Sequence, residues 1–212
     1  YMKNILFTLY SILIFSITAH SADWSTWGGD ATRNMVSLET DLDLDFNPGE
    51  MNDDETVDMS TTQNVKWVAK LGSQAYGNVT IGNGRVFSGT NNESPRDEGK
   101  KGDRGVVMCF DEKSGELDWQ LVIPKLGAGK VSDWEYIGVC SSPAIEGDRV
   151  YVVTNKCEVV CLDIAGFSNG NDGPFMDEAS YVKPKGTQDL LNEKLDADIL
   201  WIYDMRDQLG VF

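Results

Sequence analysis

The feature that most limits what this chain can fold into is an internal repeat. Ile81-Gly82-Asn83-Gly84-Arg85-Val86-Phe87 matches Ile145-Glu146-Gly147-Asp148-Arg149-Val150-Tyr151 at an offset of 64. Each copy is an apolar residue, a tight Gly-containing turn and then Arg-Val-aromatic, which is the pattern of a β-hairpin. Further on, Val107-Met108-Cys109-Phe110-Asp111 matches Val159-Val160-Cys161-Leu162-Asp163 at an offset of 52. The shorter offset places extra loop in the first copy, in the polar stretch 91–104. Trp67, Trp119 and Trp201 each follow a short alternating segment, with spacings of 52 and 82. The excess of 30 in the second spacing falls in 164–198, which is rich in Gly, Asn, Asp and Pro, with a short helix predicted near 187–195.

The repeat predicts four short strands in each copy. In the first they are 74–81, 85–90, 105–110 and 116–123; in the second, 138–145, 149–155, 158–164 and 198–203. Four antiparallel strands in a unit of about 45–50 residues is the pattern of a β-propeller blade. The fold class expected is all-β, a partial propeller; a β-sandwich with chance similarity is the alternative.

Cys109-Phe110-Asp111-Glu112-Lys113-Ser114-Gly115-Glu116-Leu117-Asp118-Trp119 resembles the tryptophan-docking motif of PQQ-like (pyrroloquinoline-quinone-repeat) β-propellers, Ala-x-Asp-x-x-Thr-Gly-x-x-x-Trp. Cys stands for Ala and Ser for Thr, while Asp111, Gly115 and Trp119 fit. The resemblance implies that the Trp docks between neighbouring blades, where a wide indole buries much area. In the second copy Cys161 and Asp163 match, and the Thr-Gly turn is displaced by the insertion that precedes Trp201. The opening Asp23-Trp24-Ser25-Thr26-Trp27-Gly28-Gly29 also looks like the Trp-rich start of exported propellers in this group. The resemblance covers 65–203 plus that start.

Rings in this family have seven or eight blades, so about two are expected here, in the N-terminal part of a longer protein. The layout expected is a signal peptide at 1–21, an extension with an acidic linker at 22–63, and a strand carrying Trp67 at 64–72 that completes the last blade. Blade 1 follows at 73–123, a connection at 124–137, blade 2 with its insertion at 138–203, and the start of a further connection at 204–212. The leader has Lys3 before an apolar run at 5–17, with Ala19 and Ser21 at the −3 and −1 positions of a cleavage site. That run is short for a membrane span. Export to the periplasm or the outside of a bacterial cell is therefore expected, with no membrane span after cleavage; an uncleaved anchor is the alternative.

Composition removes several functions. The lone histidine is His20, inside the leader, so the rest of this chain offers no Ser-His-Asp or Cys-His system and no His-ligated metal. With 18 Lys and Arg against 34 Asp and Glu, net charge −16, the chain lacks the clustered basic surface that nucleic acid requires. Nine of the acids lie in 34–65, which has no Lys or Arg and reads as a solvated linker. Its Asp41-Leu42-Asp43-Leu44-Asp45 lacks the Gly and the late Glu of a calcium loop. No metal or catalytic set is read from the sequence.

Strand alternation places loop 91–104 and connection 124–136 on one face of the disc, and the insertion on the other. The candidate ligand-binding set is Tyr76, Asn91, Asn92, Asp133, Trp134 and Tyr136, at the starts of innermost strands; the competing reading has the aromatics packing the connection and the Asn residues making turns. The docking set is Trp67, Asp111, Gly115, Trp119, Asp163 and Trp201. Export permits disulfides, and of the four cysteines Cys109 and Cys161 read as strand packing, leaving Cys140 and Cys157 as a candidate bridge.

Three functions are carried. The first is a non-enzymatic exported scaffold similar to BamB-type assembly proteins, which bind protein partners. The second is a quinoprotein dehydrogenase, which the resemblance would supply with PQQ and calcium in the full-length protein, although no vicinal Cys pair occurs here. The third is a carbohydrate- or polymer-binding propeller that uses Trp134 and Tyr136.

Overall fold

The Asn83-Gly84 turn has positive φ at both residues, 52° and 72°, the geometry that matches strand twist in a two-residue hairpin. It joins β3 (Thr80–Gly82) to β4 (Arg85–Asn91). Gly147, with φ 58°, does the same between β7 (Ala144–Glu146) and β8 (Arg149–Val153). Each hairpin continues as a meander: β4 to β5 (Gly105–Asp111) to β6 (Leu117–Ile123), and β8 to β9 (Glu158–Asp163) to β10 (Ile199–Asp204). The result is two four-stranded antiparallel sheets, ordered β3-β4-β5-β6 and β7-β8-β9-β10. Ahead of them a small hairpin pairs β1 (Glu50–Met51) with β2 (Val57–Asp58), and two short helices, α1 (Glu178–Val182) and α2 (Met205–Leu209), complete the elements. The computed structural model describes residues 23–40, 42–127, 133–182 and 191–211. The expected signal peptide at 1–21 lies outside them, and among the described residues no helix is long and apolar enough to cross a membrane.

The core forms between the two sheets. Alternate residues point to opposite faces of a strand, so Phe87, Val107, Cys109, Trp119, Leu121 and Ile123 leave the first sheet toward Val150, Val152, Val160, Leu162 and Ile199 of the second. The other face of the first sheet, Val106, Met108, Phe110 and Val122, is covered by Trp67, Ala69 and Leu71. With both faces covered, β5 is a nearly continuous apolar run, Val106 to Phe110, rather than an alternating one.

The same cross-strand row recurs in both sheets. Phe87 pairs with Cys109 and Cys109 with Trp119; Tyr151 pairs with Cys161 and Cys161 with Trp201. The ring centroids lie 5.8 Å apart for Phe87–Trp119 and 6.0 Å for Tyr151–Trp201. Both rows carry a register shift immediately before the Trp, at Leu117/Trp119 and at Ile199/Trp201. A bulge re-aims the following side chain, so the indole is turned by the same device twice.

Four expectations change. The first strands begin at Thr80 and Ala144, not at 74 and 138, because their leading segments pack edge to edge instead of forming ladders. A Cβ on Gly77 would lie 2.6 Å from the Ser141 carbonyl oxygen, and one on Gly138 2.3 Å from that of Thr90. The segment 64–72 lies over the first sheet and anchors through Trp67; the blade it was expected to complete is not among these strands, so that expectation is untouched. The helix read near 187–195 falls partly outside the described residues, and its described end, Glu193 to Leu195, is a turn. The insertion does not stay on the face opposite loop 91–104. It climbs the free edge of β6, where Gln120 exchanges backbone hydrogen bonds with Leu195 and Ala197, and meets that loop through Lys100–Asp196 and through Arg104 donating to the Val182 carbonyl. Finally, Cys140 and Cys157 are free thiols, so the candidate bridge is not formed. Cys157 takes a left-handed turn, φ 60°, at the tip before β9, and Cys140 lies exposed ahead of β7.

Candidate functional site

Docking residues meet their partners at a constant spacing. The Trp67 indole N–H donates to the Glu112 carbonyl at 2.9 Å, and the Trp119 indole N–H to that of Ile164 at 3.0 Å. Asp111 shapes the first acceptor turn, its Oδ1 accepting the amides of Lys113 and Ser114 and the Ser114 hydroxyl. Asp163 does so in the second, accepting the Ala165 amide at 2.7 Å. Gly115 lets the Trp67 ring lie on the turn: a Cβ there would fall 2.4 Å from the indole. In the second turn that glycine is not displaced. Gly166, one residue earlier in register and with φ 57°, holds the same place under Trp119 at 2.8 Å. Trp119 is 2% exposed, whereas Trp201 at the equivalent register is 37% exposed.

The six candidate ligand residues divide. Asn91 is fully buried and acts as a junction: its Nδ2 donates to Ser73 Oγ at 2.9 Å and the Tyr136 carbonyl at 2.6 Å, and its Oδ1 accepts the amides of Ser73 and Glu93. Asn92 is buried and ties loop 93–104 down by donating to the carbonyls of Lys100 and Gly102. These two do the turn-making work of the competing reading. Asp133 is also supporting: it accepts the Leu126 amide at 2.6 Å and pairs with Lys125 at 2.5 Å. Lys125 in turn reaches Asp103 at 3.6 Å and donates to the Trp134 carbonyl at 2.7 Å.

Three aromatics remain at the surface: Tyr76, Trp134 and Tyr136 are each more than two-fifths exposed. The backbones of Trp134 and Tyr136 are nevertheless held. Tyr136 lies in the left-handed region, φ 55°, fixed by its amide donating to Asp103 Oδ2 at 3.1 Å and its carbonyl accepting from Asn91. A non-glycine residue there costs on the order of 1–3 kcal/mol, and such strain concentrates at functional positions. Lys125 and Asp103 escaped sequence reasoning because neither belongs to the repeat; the only sign of them was one of two Lys in a connection and an Asp beside Gly102. A separate concavity of about 820 Å³ lies between the β1–β2 hairpin and the segment 68–73, its apolar part lined by Met51, Val57, Met59, Val68 and Leu71 and its rim by charged residues such as Lys70 and Glu93. It contains none of the candidate residues.

At the other end of the second sheet, Asp163, Asp172 and Asp198 bring one carboxylate oxygen each within 4.8 Å of the others. Asp198 is buried; desolvation, together with the neighbouring charges of Glu178, Asp163 and Asp172, pushes its carboxyl up to about 6, although it accepts the Asp172 amide. Sequence spacing does not betray this cluster, because Asp172 belongs to the insertion; the turn-rich Asn169-Gly170-Asn171-Asp172-Gly173 was its one trace. No protein-family model matches the chain, and no curated protein matches it either.

Proposed function

We propose that this chain contributes two blades to a PQQ-like β-propeller that works as an exported, non-enzymatic binding scaffold, similar to the BamB-type assembly proteins. The observation that supports it most is the repeated docking: the indole-to-carbonyl bond from Trp67 to Glu112 recurs from Trp119 to Ile164, at the same sequence separation and over a glycine each time. In this reading the partly exposed rings of Tyr151 and Trp201, which flank the buried Cys161, receive a further blade, as Phe87, Cys109 and Trp119 receive the second sheet. Binding falls to the exposed rings of Tyr76, Trp134 and Tyr136, the last two on a backbone fixed by Asn91, Asp103 and Lys125. Aromatic side chains offer large contact area at little entropic cost, the composition that protein-binding surfaces favour.

The test is a panel of immobilised peptides, glycans and free PQQ presented to the purified protein and to a Trp134→Ala/Tyr136→Ala variant. Peptide retention that the double variant loses, with its melting curve unchanged, is the expected result. PQQ-dependent dye reduction would replace the scaffold with a quinoprotein dehydrogenase, and retention on glycans alone would replace it with a polymer-binding module.

A further inference from the structure

The three carboxylates at the end of the second sheet have an unfilled requirement. Asp163 closes β9, Asp198 precedes β10, and Asp172 is brought between them by the insertion. Asp198 is 0% exposed. Its Oδ2 accepts the Asp172 amide at 2.9 Å, but its Oδ1 is buried with no partner at all. Next to it Glu178, 1% exposed, also has a buried and partnerless oxygen, Oε1. A buried carboxylate oxygen left without a donor carries the full cost of its desolvation, so the oxygen calls for a donor or a positive charge there.

What the protein itself supplies reaches Asp163 and Asp172 but not Asp198 Oδ1. The Arg149 guanidinium stands 3.6 Å from Asp163 Oδ2, and the Asn169 Nδ2 3.5 Å from the same oxygen and 3.1 Å from Asp172 Oδ2. One partly exposed guanidinium faces three acids, with Glu178 adding a fourth. The Asn169 amide lies between Asp163 and Asp172, and turning it over would direct a further oxygen to the same point.

We propose that Asp163, Asp172 and Asp198 form a Ca²⁺ site. The donor set is all oxygen, which selects a hard cation over zinc or copper. Two ligands at about 2.4 Å on opposite sides of Ca²⁺ are about 4.8 Å apart, so the spread of these three oxygens fits one ion. Three carboxylates fall short of the six to eight oxygens Ca²⁺ takes, and the exposed side of Asp172, which opens on a cleft bordered by Gly173, Pro174 and Trp201, leaves room for water to complete the shell. The flexible, incomplete cage favours Ca²⁺ over Mg²⁺, which demands near-ideal octahedral geometry. The ion would fasten the insertion to both β9 and β10, beside the exposed Trp201.

The experiment is terbium luminescence and calcium calorimetry on the metal-stripped full chain. Excitation of tryptophan should sensitise bound Tb³⁺, because Trp201 lines the same cleft. One equivalent of Ca²⁺ should displace the Tb³⁺ and raise the melting temperature, with Mg²⁺ at least tenfold weaker. Asp172→Asn is the decisive variant: Asp172 is exposed, so the fold survives, yet the Tb³⁺ signal and the calcium-dependent melting shift should both disappear. Asp43→Asn, in the acidic linker, should change neither. No calcium response in the wild-type chain at 10-millimolar levels, ~10 times the weak end of extracellular calcium modules, would overturn the proposal, as would full binding by Asp172→Asn.

Discussion

Lys100 is fully buried, and among the described residues its ammonium is the one cation paired with Asp196, itself 1% exposed. It donates to Asp196 at 2.9 and 2.8 Å and to Asp97 at 2.6 Å. Replacing it by Met keeps the aliphatic stem and removes the charge. Asp97 tolerates this, because its partly exposed carboxyl, where burial is outweighed by Lys100 and the Gly99 amide, retains that amide and solvent. Asp196 does not: burial already pushes its carboxyl above the usual range with Lys100 in place, and afterwards only the Asn192 amide at 2.7 Å remains. Breaking one side of a buried pair costs about 3–5 kcal/mol. With a urea slope of about 2 kcal/mol per molar, the unfolding midpoint of Lys100→Met should fall by roughly 1.5–2.5 M. Lys100→Met/Asp196→Asn, which removes both charges, should recover much of that loss, with a coupling of about 2 kcal/mol or more between the sites. A midpoint shift under roughly 0.5 M, or strictly additive single variants, would refute the reasoning that loop 93–104 and the insertion are locked by this contact.

Other expectations follow from the docking turns and the thiols. Trp119→Ala should destabilise by about 3–5 kcal/mol in chemical denaturation, while Trp201→Ala in this chain should cost far less, since much of that ring is already in water. Asp111 is held below the usual carboxyl range by the amide and hydroxyl of Ser114 and the amide of Lys113. A depressed folded value means its contribution is fully present above the unfolded value of 3.8 and is lost as pH falls through the folded one. Acid titration of stability should therefore be flatter in Asp111→Asn than in wild type below about pH 4. Among the thiols, an alkylating reagent followed by mass spectrometry should modify Cys140 first; Cys109 and Cys161 should stay blocked until unfolding, because both are buried and desolvation pushes the Cys161 thiol up to about 11 and Cys109 higher still.

The hairpins were legible because their signals are local. Asn83-Gly84 and Gly147-Asp148 can form few other turns, and the matched apolar segments after them reproduced β4, β5, β8 and β9 to within a residue or two. The start of each sheet was not legible, since a strand reading of 74–79 and 138–143 cannot know that another backbone lies against Gly77 and Gly138. Asn91 and Asn92 were singled out as ligand candidates on position alone. Their burial and four carbonyl or hydroxyl partners make them junctions, and burial is a property of everything that surrounds a residue rather than of the residue.

Order along the chain determined a great deal by itself: an all-β class, eight principal strands, two copies of one unit and a tryptophan in each at the same register. Those follow from period-two alternation and turn chemistry, which act over a few residues. The tertiary structure alone decided how the irregular parts join that frame. It put Gly166 under Trp119, carried the insertion up the edge of β6 to Lys100, left Cys140 and Cys157 unbridged, and gathered Asp163, Asp172 and the buried Asp198 together. The insertion has no repeat and no periodicity to constrain it, so its path is set by the buried charges and open strand edge it must satisfy, and these exist only once both sheets are in place.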